Sequence, residues 1–271
     1  MSATINDHSF YNRDGLRLHY LEAGQGARTV VFIPGWLMPA SVFRLQLEAL
    51  GSQFRVLAFD PRSQGQSEIY YGSHTVAVRM NDMEDFLRAA QVHDYVLAGW
   101  SLGVLESLDF IERHPQTGLR GLVLIDNSIG AGKPPAARSS TFFADLASLE
   151  RRKQFLTTFT ENIFKPHAPD DITQAAVSSV LQVPVQASIQ LISQPYPRSY
   201  WRGIVFKQSI PVLYAIRPHL REQGEDLLRN NLALAQVEMF SESGHAMFVD
   251  EPQRFNSLVA AFVQRSFTGV P

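Results

Sequence analysis

The sequence predicts a doubly wound α/β fold, a mostly parallel sheet covered on both faces by helices and interrupted once by an inserted helical cap. Two observations carry this expectation. Short runs rich in Val, Ile and Leu recur between segments of helical spacing, and strands apolar on both faces suit a parallel sheet buried between helices. The alternation then fails over one stretch, Asn127 to about Gln208, where no strand is legible and prolines separate several helical segments. The 271 residues fit a single α/β domain, which often runs to about 250 residues.

Taken in order, Leu16–Leu21 alternates and reads as an early antiparallel edge strand. Thr29–Ile33, Arg55–Asp60, Tyr95–Gly99, Leu122–Asp126, Val212–Ile216 and Gln236–Phe240 read as the buried strands. Helical spacing appears over Ser41–Leu50, Val76–Ala90, Leu102–Glu112, Arg221–Leu232 and Pro252–Ser266. Strand and helix in alternation imply right-handed crossovers, and ligands on such sheets bind at the carboxyl ends of the strands. The core is therefore expected over 1–126 and 209–271, and the cap over 127–208.

A structureless loop of the latter length is improbable in a compact domain, so the segment reads as helices broken at Pro134, Pro135, Pro166, Pro169, Pro184, Pro195 and Pro197. Its many aromatics glue it to the sheet, and a few of them line a pocket. With Trp100 from the core, Phe142, Phe143, Phe159 and Trp201 are the candidate lining residues.

Lys and Arg total 24 against 26 Asp and Glu, a net charge of −2, and the pI is about 6.4. That balance argues against a nucleic-acid partner, which calls for a basic patch. The absence of cysteine excludes disulfides, thiolate metal sites and a cysteine nucleophile. No histidine pair has H-x-x-x-H spacing, so no metal and no cofactor is expected. No apolar run approaches the ~20 residues that span a bilayer, and Met1–Phe10 lacks the basic and apolar regions of an export signal. A soluble cytoplasmic protein without a membrane partner is the expectation. Oligomeric state is not legible.

The chemistry centres on Gly99-Trp100-Ser101-Leu102-Gly103, a G-x-S-x-G placed directly after a strand and before a helix. Such a sharp turn needs small flanking residues, lifts the serine above the sheet, and aims a helix N-terminus at it. A serine needs a base, and His245 in Ser243-Gly244-His245 lies just past the last strand. His8, His74, His93, His114 and His167 show no such pattern and read as solvated or structural.

With these motifs the chain resembles the α/β-hydrolase family over nearly its whole length. Pro34-Gly35-Trp36 is similar to that family's oxyanion loop, and Phe59 to Ser67 to its D-x-R-G-x-G-x-S turn, with Pro34 in place of a His and Ser63 in place of a Gly. The resemblance is closest to small carboxylesterases and cofactor-free, non-haem chloroperoxidases. It implies an eight-stranded sheet, Ser101 as nucleophile, His245 as base, and the backbone N–H groups of Trp36 and Leu102 as the oxyanion hole.

In most of the family the triad acid follows the strand that is Val212–Ile216 here. This chain instead reads Arg217-Pro218-His219-Leu220-Arg221-Glu222. Asp126, at the carboxyl end of the preceding strand, is the first candidate; Glu222 is the alternative, then Glu225 or Asp226. An Asp at a strand end can equally cap the following turn.

The resulting expectation is a serine hydrolase acting on a small-to-medium apolar ester or lactone. Perhydrolase activity, a cofactor-free dioxygenase of the same fold, and a slow ligand-binding receptor are alternatives. Leu37-Met38, where the dioxygenases call for a polar residue, counts against the second. Haloalkane dehalogenase and epoxide hydrolase chemistry needs an Asp at the elbow, where Ser101 stands.

Overall fold

A computed structural model describes residues 2–114, 118–132, 139–231 and 233–268. Pro134, Pro135 and Leu232 lie outside the described residues. The strands are β1 (Ile5–Tyr11), β2 (Arg17–Ala23), β3 (Thr29–Ile33), β4 (Arg55–Asp60), β5 (Tyr95–Trp100), β6 (Leu119–Ile125), β7 (Val212–Ile216) and β8 (Ala235–Met239). They form one eight-stranded sheet in the order β1-β2-β4-β3-β5-β6-β7-β8. Only the β1–β2 and β2–β4 pairings are antiparallel.

The helices are α1 (Arg44–Leu50), α2 (Val76–Ala89), α3 (Leu102–Arg113), α4 (Ser140–Ala147), α5 (Arg152–Glu161), α6 (Asp170–Gln182), α7 (Val185–Ile192), α8 (Arg198–Phe206), α9 (Arg221–Asn231), α10 (Met247–Asp250) and α11 (Pro252–Thr268). Between Asn127 and Gln208 the described residues contain helices α4 to α8 and no strand.

Strand pleat explains why the central runs are apolar throughout. Successive residues face opposite sides of the sheet. Val30 and Phe32 of β3 enter one core cluster, Val31 and Ile33 the other. The first cluster takes in α1 and α11 and the buried side chains of α4 to α7, such as Leu146, Leu156, Val180 and Leu191. The second takes in α2, α3 and α9, together with Trp201, Ile204 and Val205 of α8. Helix α8 therefore packs on the opposite face of the sheet from α4 to α7.

Two strand expectations need correction. The antiparallel strand near Leu16–Leu21 is β2, and it is not an edge: β1 lies outside it. β1 is not legible in the sequence because only Ile5, His8 and Phe10 are even half-buried, while Asn6, Asp7, Ser9 and Tyr11 are exposed. Without an apolar run, a half-covered edge strand reads as a polar terminus. Among the described residues no single helix is long and apolar enough to cross a membrane.

Candidate active site

The site is built where β5 turns into α3. Ser101 sits between them at φ 54° and ψ −118°, a backbone state that is costly outside glycine. The flanking glycines make the turn possible. A Cβ on Gly99 would lie 2.2 Å from the Gly103 carbonyl oxygen, and a Cβ on Gly103 would lie 2.3 Å from that of Ile33. The start of α3 thus rests directly on the end of β3. Gly103→Ala is expected to cost roughly 2–3 kcal/mol by overpacking, lowering Tm by about 5–10 °C in a thermal melt.

The Ser101 backbone is held from both sides. Its N–H donates to the Ile125 carbonyl at 2.9 Å, and its own carbonyl accepts from Asn127 Nδ2 at 2.7 Å. The opening N–H groups of α3 have no acceptor within the helix, so the serine stands at a locally positive end. Close by runs the Gly35–Met38 loop after β3. A Cβ on Gly35 would be 3.1 Å from Ser101 Cβ, so this backbone lies against the serine.

Asp126 leaves β6 at φ 49°, and its carboxylate has no exposed surface. Oδ2 lies 2.6 Å from His245 Nδ1 and 2.6 Å from Arg217 Nε; Oδ1 accepts from the Arg217 backbone N–H at 3.2 Å. Burial pushes this carboxyl up. The hydrogen bond from His245 and the charges of His245 and Arg217 outweigh that and hold it below the usual carboxylate range. An ionised carboxylate only accepts, so Nδ1 of the imidazole carries the proton it donates, and Nε2 is the ring nitrogen left free of Asp126. Arg217 Nη2 also comes within 3.4 Å of His245 Nδ1, but both are then donors, and Asp126 Oδ2 is what holds them together.

The histidine loop is pinned at several points. The His245 N–H donates to the Ile163 carbonyl at 3.0 Å, the Gly244 N–H to Asp250 Oδ2 at 2.7 Å, and Ser243 Oγ to Glu251 Oε1 at 2.6 Å. Ser101, Asp126 and His245 line one cavity of about 980 Å³. Its lining mixes apolar side chains (Trp36, Phe159, Ile163, Ile192, Leu220) with polar ones (Asn127, Ser128, Asn162, Arg217, Glu222, Gln223). Chemically, this places a hydroxyl, an imidazole and a buried anion around one cavity, where an activated nucleophile can form.

Residues 30–258 match the Alpha/beta hydrolase family. The chain belongs to the alpha/beta hydrolase family. A curated relative, the non-heme chloroperoxidase CPO-A1 of Kitasatospora aureofaciens, is 30% identical over 170 residues, 60% of this chain and 62% of that protein. The chain thus spans less than two thirds of that relative's length. Among solved structures the fold is shared with an esterase (EaEST) from Exiguobacterium antarcticum, at TM-score 0.79 and 20% identity, covering 94% of this chain and 98% of that one. It is shared equally with a bromoperoxidase from Bacillus anthracis, at TM-score 0.80 and 18% identity, covering 96% and 100%.

Within this alpha/beta hydrolase, Asp126 rather than Glu222 reaches His245. Glu222 lies on the cavity wall, Glu225 is exposed, and Asp226 faces Arg202 and Arg229. Of the expected pocket aromatics, Phe159 lines the cavity and Phe142 packs behind it on Trp36, ring centroids 5.7 Å apart. Three others are corrected. Trp100 is buried beneath the histidine loop, where its Nε1 donates to the His245 carbonyl at 2.9 Å. Phe143 packs on the outer side of Phe142 and is partly exposed. Trp201 belongs to the cluster on the far face of the sheet.

Ser63 stands at φ 65°, which accounts for the family's preference for glycine there. Its hydroxyl accepts from the Tyr70 N–H at 2.9 Å and lies 3.0 Å from His74 Nε2, so local hydrogen bonds offset the backbone cost. Sequence reasoning misses Arg217 and Asn127 as site residues. The only signal is negative: a cation at the position where an acid is sought.

Proposed function

We propose that this chain is a serine hydrolase that cleaves a small-to-medium apolar carboxylic ester or lactone through an acyl-enzyme. The observation that carries the reading is the 2.6 Å contact of His245 Nδ1 with the buried, ionised Asp126, in a cavity that Ser101 shares. Asp126 keeps the imidazole in the tautomer whose Nε2 accepts a proton, and stabilises the cation that results.

In this reading Ser101 Oγ attacks the substrate carbonyl as His245 Nε2 takes the hydroxyl proton. The N–H groups of Trp36 and Leu102 receive the oxyanion. His245 then returns the proton to the departing alkoxide oxygen, and water repeats the sequence on the acyl-enzyme. The apolar lining residues Trp36, Phe159, Ile163 and Ile192 support an apolar acyl or alcohol group, and helices α4 to α7 act as the cap over it. No cofactor enters, the partner is a small molecule, and the site of action is the cytoplasm. A receptor reading draws its motive from an acid out of its usual place; the contact of Asp126 with His245 weighs against it.

A fluorophosphonate probe tests this directly. Covalent labelling should map to Ser101 by mass spectrometry and disappear in His245→Ala. Well-folded wild-type protein that takes no label would overturn the reading.

A further inference from the structure

The loop that carries the Trp36 N–H closes a single turn of its own, in which the Met38 N–H donates to the Gly35 carbonyl at 3.1 Å. Its first residue, Pro34, has no N–H to donate. Leu37 sits at φ 63°, a left-handed state that persists only where its surroundings impose it.

Beyond that turn's own bond, α6 and α7 hold it from outside. Ser179 of α6, almost fully buried, donates from Oγ to the Leu37 carbonyl at 2.8 Å and accepts the Gly65 N–H at 3.0 Å. The Trp36 indole Nε1 donates to the Ser188 carbonyl of α7 at 2.9 Å. Arg152 of α5 in turn holds α7 through the Ser188 hydroxyl at 3.0 Å, and the α6–α7 connection through the Val183 carbonyl at 2.7 Å. From the core, among the described residues, only Gln64 makes a comparable side-chain bond, to the Met38 carbonyl at 2.8 Å. Two consecutive residues of the loop are thus fastened to two consecutive helices of the segment above it.

We propose that Ser179 is a positioning residue for the oxyanion hole, and that α6 and α7 set the geometry of the Trp36 N–H through the Ser179–Leu37 and Trp36–Ser188 hydrogen bonds. This rests on the acyl-transfer reading above. Ser179 touches no substrate. It holds the Leu37 carbonyl and so fixes the Leu37–Met38 peptide plane, while the Trp36–Ser188 bond fixes the Trp36 side chain; between them they limit how far the Trp36 backbone can turn. An oxyanion donor displaced by a fraction of an ångström leaves ground-state binding intact and weakens the transition state selectively.

The test compares wild type, Ser179→Ala, Ser179→Thr and Trp36→Phe in the full chain. The readouts are p-nitrophenyl butyrate turnover, Tm, and inhibition by an alkyl trifluoromethyl ketone. Ser101 Oγ adds to the ketone carbon while His245 takes the proton, leaving a tetrahedral oxyanion in the hole. Ser179→Ala should lower kcat at least about tenfold with KM within about twofold, and raise the ketone Ki by a similar factor. Ser179→Thr keeps the hydroxyl and should stay within about threefold of wild type. Trp36→Phe keeps an aromatic ring and the backbone N–H but drops the indole bond, and should show the signature of Ser179→Ala even if that variant does not fold. Variants with a lowered Tm but wild-type kcat and Ki would make these bonds merely structural and overturn the proposal alone. A wild type that neither turns over ester nor binds the ketone would overturn the acyl-transfer reading, and this proposal with it.

Discussion

Ser101→Ala should reduce kcat/KM on simple esters by about 10⁴-fold or more, with Tm little changed. The size follows from the role: with no hydroxyl at the elbow, the imidazole of His245 has nothing to deprotonate. What is left is water attack on a substrate held by the oxyanion donors. The fold should tolerate the change because Ser101 makes its structural bonds through its backbone, to Ile125 and Asn127. The strained φ of 54° is set by the main chain and its glycine neighbours, and alanine carries the same Cβ. Turnover within tenfold of wild type, measured against a mock purification, would remove Ser101 from the chemistry.

Asp126→Asn should lower kcat by roughly 10²–10⁴-fold, whereas Glu222→Gln should leave it within about twofold. The amide has no good orientation here. With its oxygen in the Oδ2 position it still accepts from His245 Nδ1 and Arg217 Nε, but its NH₂ then faces the Arg217 backbone N–H that now bonds Oδ1 at 3.2 Å. Turned over, the NH₂ meets both side-chain donors, and His245 is driven to the tautomer whose proton sits on Nε2. Either way the anion that stabilises the imidazolium is gone. Steady-state rates of the two variants, side by side, decide the assignment. A large loss in Glu222→Gln with none in Asp126→Asn would reverse it.

The central strands are legible in the sequence because parallel strands buried on both sides must be apolar throughout, as Val30 to Ile33 and Val212 to Ile216 show. β1 is not, because an edge strand half-covered by helices needs only alternate apolar residues. Ser101 and His245 are legible because the turn and the histidine loop leave local traces in short motifs. The acid proposed for the triad, Asp126, is legible only as a choice among strand ends. The contact that brings it to His245 joins residues 119 apart, and nothing near Asp126 in the chain records it. Arg217 is opaque for a similar reason: a guanidinium reaching from the end of β7 to the end of β6 has no sequence signature. The aromatics show a further limit, since composition identifies Trp100 and Trp201 as large and apolar but not which face of the sheet receives them.

The polar character that hides β1 also bears on how two molecules meet. The outer strands of an open sheet carry unpaired backbone groups that invite a further strand, and charged or polar dressing discourages it. At one rim β1 presents Asn6, Asp7 and Ser9 to solvent. At the other, Arg254 of α11 reaches over the end of β8, donates to the Met239 carbonyl at 2.8 Å and pairs with Glu238. A second copy seeking to extend the sheet at β8 would first have to break that ion pair, and at β1 it would meet a strand whose exposed residues, Tyr11 apart, are polar.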